Sequence, residues 1–179
     1  MGILLDLANA SLTAMTPEQR LQAALSKYLC QHIMYPPFLE RKQTLPDLNW
    51  KSVPFCAESR ASIPRFQGVY AFAVALDDSK LPTNSHILYV GKAGDVASDN
   101  TLWRRYYDYM VTERKNDRPR IHEMLQQWQG HLVYHYAIVD DSIGTAEIER
   151  TLLDILVPPY NRGDFSPELA SLLKGANIL

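Results

Sequence analysis

Residues 68–92, GVYAFAVALDDSKLPTNSHILYVGK, decide the fold. The runs 69–76 (VYAFAVAL) and 86–90 (HILYV) are rich in β-branched and aromatic residues. The polar segment between them contains Pro82 and several turn formers. Two such runs around a turn-rich loop predict an antiparallel hairpin. The loop is too long for a two-residue turn, so turn type does not set the register. Pairing brings Tyr70 and Tyr89 near one another, each close to a glycine that lets another group approach the backbone.

Outward from the hairpin, the chain alternates between periodic and irregular stretches. Thr16, Pro17 and Gln19 form a helix start with a capping box. Apolar residues from Leu21 to Ile33 follow at helical spacing, and Pro36-Pro37 ends that run. Residues 36–67 carry scattered prolines and read as an irregular arm anchored by Trp50 and Phe55.

After the hairpin, a helix is expected over about 101–116. At about 100° per residue, Leu102, Trp103, Tyr106 and Met110 share a face, Arg105 and Tyr109 flank it, and Arg104 points away. A second helix is expected over about 120–129, a third strand over 131–139 and a helix over about 145–157. In that last helix Ile148, Leu152, Ile155 and Leu156 form the buried stripe, with Glu149 on its flank and Glu147 nearly opposite. Ser166-Pro167 opens a short terminal helix that Gly175 stops. The fold class is α+β: a small, mostly antiparallel three-stranded sheet flanked by helices, with an N-terminal helical and irregular extension. The expected division is an accessory segment, residues 1–65, and a domain, residues 66–179.

Composition narrows the function. The 179-residue chain has a formal net charge of -2 and a pI near 6.2, which argues against a strongly basic nucleic-acid coat. Cys30 and Cys56 match no metal spacing and read as reduced thiols of a cytoplasmic protein. No apolar run reaches the ~18 residues that would span a bilayer. The first residues lack the basic flank of a signal peptide, and Asp6 stands where a myristoylation motif has Ser or Thr. His86, His122, His131 and His135 show no triad or ligand spacing.

Tyr70, Tyr89, Lys92, Arg105, Tyr109, Glu149 and Asn161 come from strand ends and helix flanks. Such a mixture suits phosphodiester hydrolysis, which needs an oriented water, cationic stabilisation of the transition state and a metal on carboxylate oxygen. Singly, each residue has an ordinary structural role. Together, Gly68-Val69-Tyr70 and Tyr89-Val90-Gly91 resemble the two signature blocks of the GIY-YIG endonucleases. The resemblance continues in order through Lys92, Leu102-x-x-Arg105, Tyr109, Glu149 and Pro159-Tyr160-Asn161, over about residues 66–163. In detail it is most similar to the nuclease domain of the bacterial excision-repair incision subunit. Arg65-Phe66-Gln67 and the preceding arm are similar to GIY-YIG restriction endonucleases.

The resemblance implies a role for each residue. Tyr70 orients or deprotonates the attacking water, helped by Lys92 or the metal. Tyr89 hydrogen-bonds water or phosphate. Arg105 binds phosphate, Tyr109 assists, and Asn161 fixes the local loop. Glu149 is the single protein ligand of a hydrated Mg²⁺ or Mn²⁺. The implied substrate is DNA, with Lys92, Arg104, Arg105, Arg114, Lys115, Arg118 and Arg120 as candidate contacts. Acidic residues interleave them, so a homodimer or a partner protein is expected to add contacts. The expected activity is a metal-dependent DNA endonuclease of restriction or defence type. The alternatives are a stand-alone, structure-specific repair or recombination nuclease and a catalytically silent DNA-binding domain.

Overall fold

A computed structural model of the protein describes residues 15–33, 35–76, 84–95, 100–111, 118–163 and 165–176. Its contacts divide the chain into two units, one ending at Gln31 and the other beginning at His32. The described part of the first unit is built on helix α1, Pro17–Ser26. Its capping box forms: the Thr16 hydroxyl accepts from the Gln19 amide at 3.2 Å, and the Gln19 side chain accepts from the Thr16 amide at 2.9 Å. The helix stops earlier than the apolar spacing predicts. The Ser26 hydroxyl donates to the Ala23 carbonyl, and Tyr28 and Leu29 make tighter i→i−3 bonds, so the α ladder ends there.

The second unit holds a four-stranded antiparallel sheet in the order β1-β4-β2-β3. The strands are β1 (Lys51–Pro54), β2 (Gly68–Leu76), β3 (Asn84–Ala93) and β4 (Leu132–Ile138). Among the described residues five α-helices accompany them: α2 (Pro36–Leu39), α3 (Leu102–Met110), α4 (Pro119–Gln127), α5 (Thr145–Leu156) and α6 (Pro167–Gly175). No helix among the described residues is long and apolar enough to cross a membrane.

The α+β class and the β2–β3 hairpin agree with the sequence reading. The sheet differs by one strand. β1 comes from the arm, within the residues expected to form the accessory segment, and it pairs with β4 from Lys51↔Tyr136 to Pro54↔Val133. It is four residues long and ends in proline, so it has no alternating pattern to read. Phe55 then packs edge-on against Phe72 and Tyr106, each at 5.0 Å between ring centroids. Trp50, the other expected anchor, is exposed, and Phe38, Ile63 and Gln67 are the buried residues of the arm.

Register assigns side chains to faces, because cross-strand partners point the same way. Val69, Ala71 and Val90 share one face. There they join Ala137 and Val139 under Ile148, Leu152 and Leu153 of α5. Tyr70, Phe72, Tyr134 and Tyr136 face the other way, where Tyr106 and Tyr109 of α3 meet them. This face is an aromatic core, with edge contacts such as Tyr106–Tyr134 at 4.9 Å. The α3 stripe is Leu102, Tyr106 and Tyr109, so Tyr109 lies inside it and Met110 outside.

Candidate functional site

The aromatic face gathers half of the predicted set. Tyr70 comes from β2 and Tyr109 from α3, and their hydroxyls hydrogen-bond at 2.6 Å. Both are buried. Tyr89 on β3 lies within 6.4 Å of Tyr70 and 6.2 Å of Tyr109, centroid to centroid. Tyr134 of β4 stacks on Tyr70 at 5.3 Å. Burial pushes the Tyr70, Tyr109 and Tyr134 phenols well above their usual range. Neighbouring phenols add to the effect, while the Arg105 guanidinium opposes it at Tyr70 and Tyr134. Tyr70 is therefore a neutral phenol, which can orient a water but is no base until something further stabilises its anion.

Arg105 sits beside these phenols. Burial works against its charge, but Tyr70, Tyr109 and Asp108 outweigh that and raise its pKa. Its Nη1 is 3.8 Å from the Asp108 carboxylate, and its buried Nε has no hydrogen-bond partner among the described residues. A half-buried guanidinium with an unused donor is well suited to take up an oxyanion.

Gly91 explains how Tyr70 reaches the sheet edge. The two residues pair directly across β2 and β3. A Cβ on Gly91 would meet the Tyr70 ring, with Cζ at 2.5 Å and the hydroxyl oxygen nearer still. The hydroxyl thus lies against the backbone of β3, the outer strand. On that same edge Asn161 accepts from the Val90 amide and donates to the Val90 carbonyl, both at 2.9 Å. The Tyr160 amide donates to the Leu88 carbonyl at 3.0 Å, where a register slip leaves Leu88 without a partner on β2. Asn161 thus extends the sheet with one side-chain amide and fixes its own loop.

Two members of the set, Lys92 and Glu149, belong to the opposite face. Lys92 pairs with Val69, so it points to the α5 side, where its ammonium meets Asp95 at 2.7 Å. The Thr145 hydroxyl donates to the Gly94 carbonyl at 2.7 Å, which starts α5 at the end of β3. One turn on, Glu149 falls between the buried Thr145, Leu152 and Leu153 on the helix wheel and is half-buried. It therefore lies within the sheet-facing arc, not on its flank, because Leu153 widens that arc. Glu147 is exposed, as its opposite position predicts. Tyr70, Tyr89, Tyr109 and Arg105 are brought together; Lys92 and the helix carrying Glu149 lie across β3 from them.

Among the described residues no three His, Cys, Asp or Glu side chains gather in a metal-ligand cluster. A single half-buried protein carboxylate fits the looser mode of hydrated Mg²⁺ or Mn²⁺, which takes one or two carboxylates and keeps its waters. Glu149 is the residue that would hold it.

No family model, curated protein or solved structure matches the chain. The remaining predicted contacts are scattered. Arg104 is exposed on α3, and Arg118 is exposed as the residue preceding α4. Arg120 is half-buried, and its pKa is lowered by burial and then by the nearby Arg162. Arg114 and Lys115 lie outside the described residues.

Sequence reasoning missed Arg162, Asp95 and Tyr134. Arg162 directly follows Asn161 and could have been found by position. Asp95 lies three residues after Lys92, the distance at which its carboxylate pairs. Tyr134 shares the alternation of residues 131–139 with Tyr136, and that alternation puts both on the face of Tyr70.

Proposed function

We propose that the protein is a divalent-metal-dependent DNA endonuclease of the GIY-YIG type, with its reaction centre at the outer strand β3. The observation that carries the reading is the meeting of the Tyr70 and Tyr109 hydroxyls beside the partly unneutralised Arg105, against the side-chain-free Gly91. A phosphate at that edge would be reached from both faces of one thin outer strand.

In this reading, Arg105 holds the scissile phosphate and balances the charge that builds on its non-bridging oxygens. Tyr70, kept neutral and aimed by Tyr109, orients the attacking water. Tyr89 hydrogen-bonds the same water or a phosphate oxygen. As water attacks, its oxygen bonds to phosphorus and gives up a proton to solvent, while the ester bond to the sugar breaks and the leaving oxygen takes a proton from solvent to become a hydroxyl. Mg²⁺ or Mn²⁺ on Glu149 would supply Lewis-acid polarisation of a phosphate oxygen. Lys92, across the strand and paired with Asp95, would offer a further N–H donor near the same edge. A restriction or defence role ranks ahead of repair or recombination, because residues 65–67 and the arm before them are similar to the restriction members.

The test is cleavage of duplex, nicked and branched DNA with Mg²⁺, comparing the protein with Glu149→Ala and Tyr70→Phe. Cleavage by the unaltered chain and a loss of about a hundredfold or more in each variant are expected, on the scale of removing one transition-state donor. Variants that cut as well as the parent would overturn the assignment. A second reading has one observation in its favour: α5 packs on the face opposite Tyr70. A silent DNA-binding domain would bind these substrates and cut none of them.

A further inference from the structure

The outward flank of α3 carries a cluster that the catalytic assignment does not use. The Arg60 guanidinium lies 3.7 Å from the Trp103 ring centroid and 4.1 Å from that of Tyr107. Arg65 lies 3.9 Å from Trp103. Arg65, Phe66, Arg104 and Tyr107 are exposed, while Arg60 and Trp103 are half-buried. No carboxylate forms an ion pair with Arg60, Arg65 or Arg104 among the described residues. The acid nearest in sequence to Arg60 and Arg65, Glu58, is exposed, and Asp108, the nearest described one to Arg104, lies 3.8 Å from Arg105.

The cluster is held in place by backbone bonds. The amides of Leu102 and Trp103 donate to the carbonyls of Phe66 and Pro64, at 2.9 and 3.1 Å. The segment bearing Arg65 and Phe66 thereby satisfies the first donors of α3. Guanidinium groups stacked on aromatic rings keep their edge N–H groups for a ligand, and the stacking fixes their direction beforehand. Fixed, unneutralised guanidinium edges beside exposed rings fit a phosphodiester backbone, with Phe66 and Tyr107 available to sugar or base.

Position ties this surface to the reaction centre. On the α3 wheel Trp103 and Tyr107 lie on one flank, Arg105 on the other, and Arg104 on the solvent side between them. One helix diameter is about 10–12 Å, so both flanks of α3 come within reach of one duplex backbone. We infer that the Arg60–Arg65–Trp103 surface binds the DNA backbone beside the phosphate held at Arg105, with the duplex lying across α3. This rests on the proposed nuclease reading for the identity of the partner.

The test is binding of a fluorescent duplex without divalent metal, across a series of salt concentrations. The unaltered chain is compared with Arg60→Gln, Arg65→Gln and the double variant, with thermal melting in parallel. The double variant is expected to bind at least about tenfold more weakly. Its dependence of log affinity on log salt should be shallower by about 2, at roughly 0.9 for each phosphate that is no longer neutralised. Arg65→Lys should keep the slope. A double variant that melts lower yet keeps the parental slope overturns the surface, because the arginines then only pin the arm to α3. Parental cleavage with unchanged slopes overturns the surface and leaves the nuclease reading standing. Binding that depends on Arg60 and Arg65 without any cleavage supports the surface and overturns the nuclease. A chain that neither binds nor cuts DNA overturns both.

Discussion

Gly91 has no side chain because the Tyr70 ring occupies the space where one would stand. Both neighbours of that space are rigid: the backbone of β3, and a buried phenol hydrogen-bonded to Tyr109. Gly91→Ala must therefore push Tyr70 out of its place or bend β3. Overpacking of this kind costs about 1–3 kcal/mol, a fall in melting temperature of several degrees for a chain of this size. Gly91→Ala combined with Tyr70→Ala should recover part of that loss, since the clash goes with the ring. Double-variant melting reads this directly, and additive losses would show that the ring is not the obstacle. The glycine of the second block is thus explained by a contact. In the sequence it is visible only as a residue type beside a tyrosine. Gly68 is similar: a Cβ there would meet the Ala137 carbonyl and the Leu102 side chain, the latter at 2.9 Å. The close approach at Gly91 is foreshadowed by the hairpin, though its register is not, whereas the obstacles at Gly68 come from elements far along the chain.

Among elements, β3 is the one whose surroundings matter most. Its outer edge is closed at Val90 by the two bonds from Asn161 and at Leu88 by Tyr160. Asn161→Ala removes both side-chain bonds, a loss of about 1–2 kcal/mol at this partly exposed edge. Asn161→Asp keeps an acceptor for the Val90 amide but sets a carboxylate oxygen against the Val90 carbonyl, so it should be the more destabilising at neutral pH. Urea unfolding with an unchanged m-value checks the order; Asp milder than Ala would show that the side chain does not bridge Val90. Legibility also divides by element. The hairpin, β4 and α5 are readable because their apolar periods exceed a few residues. The short, proline-ended β1 is not, since its place is set by pairing with β4 and not by its own pattern. α1 illustrates the reverse case, where apolar spacing continues past the point at which the backbone bonds change. At the site, Tyr70, Tyr89 and Arg105 converge as expected and Tyr109 joins them, but Glu149, expected on the same surface, is carried by the helix packed on the opposite face. The placement of α5 across β3 depends on strand register, which the long hairpin loop leaves open. Arg60 and Arg65 are unreadable as a cluster because their shared partner, Trp103, belongs to a helix far along the chain.

At the scale of the whole molecule, the aromatic face sets a limit on alkaline stability. Tyr70, Tyr109 and Tyr134 each hold their proton more tightly when folded, chiefly because burial penalises the anion. The sign follows from proton counting. Above about pH 10, the ordinary phenol value, the unfolded chain binds fewer protons than the folded one, so stability falls as pH rises. The stabilising contribution is complete below that pH and is lost as pH climbs through the folded values. Each group contributes a slope of up to about 1.4 kcal/mol per pH unit. Three together reach about 4, against a typical total of about 5–15 kcal/mol. Unfolding within a few pH units above 10 is therefore expected, with tyrosinate absorbance rising in step with the loss of structure. Tyr134 separates burial from hydrogen bonding, because its hydroxyl is buried without a partner among the described residues. Tyr134→Phe removes one titrating group and one unsatisfied hydroxyl. It should stabilise the protein at neutral pH by about 1 kcal/mol and make the alkaline fall shallower by about one proton. Tyrosines that titrate near pH 10 while the chain stays folded would mean that the aromatic face is open to solvent. The neutral phenol assigned to Tyr70 would then be wrong as well.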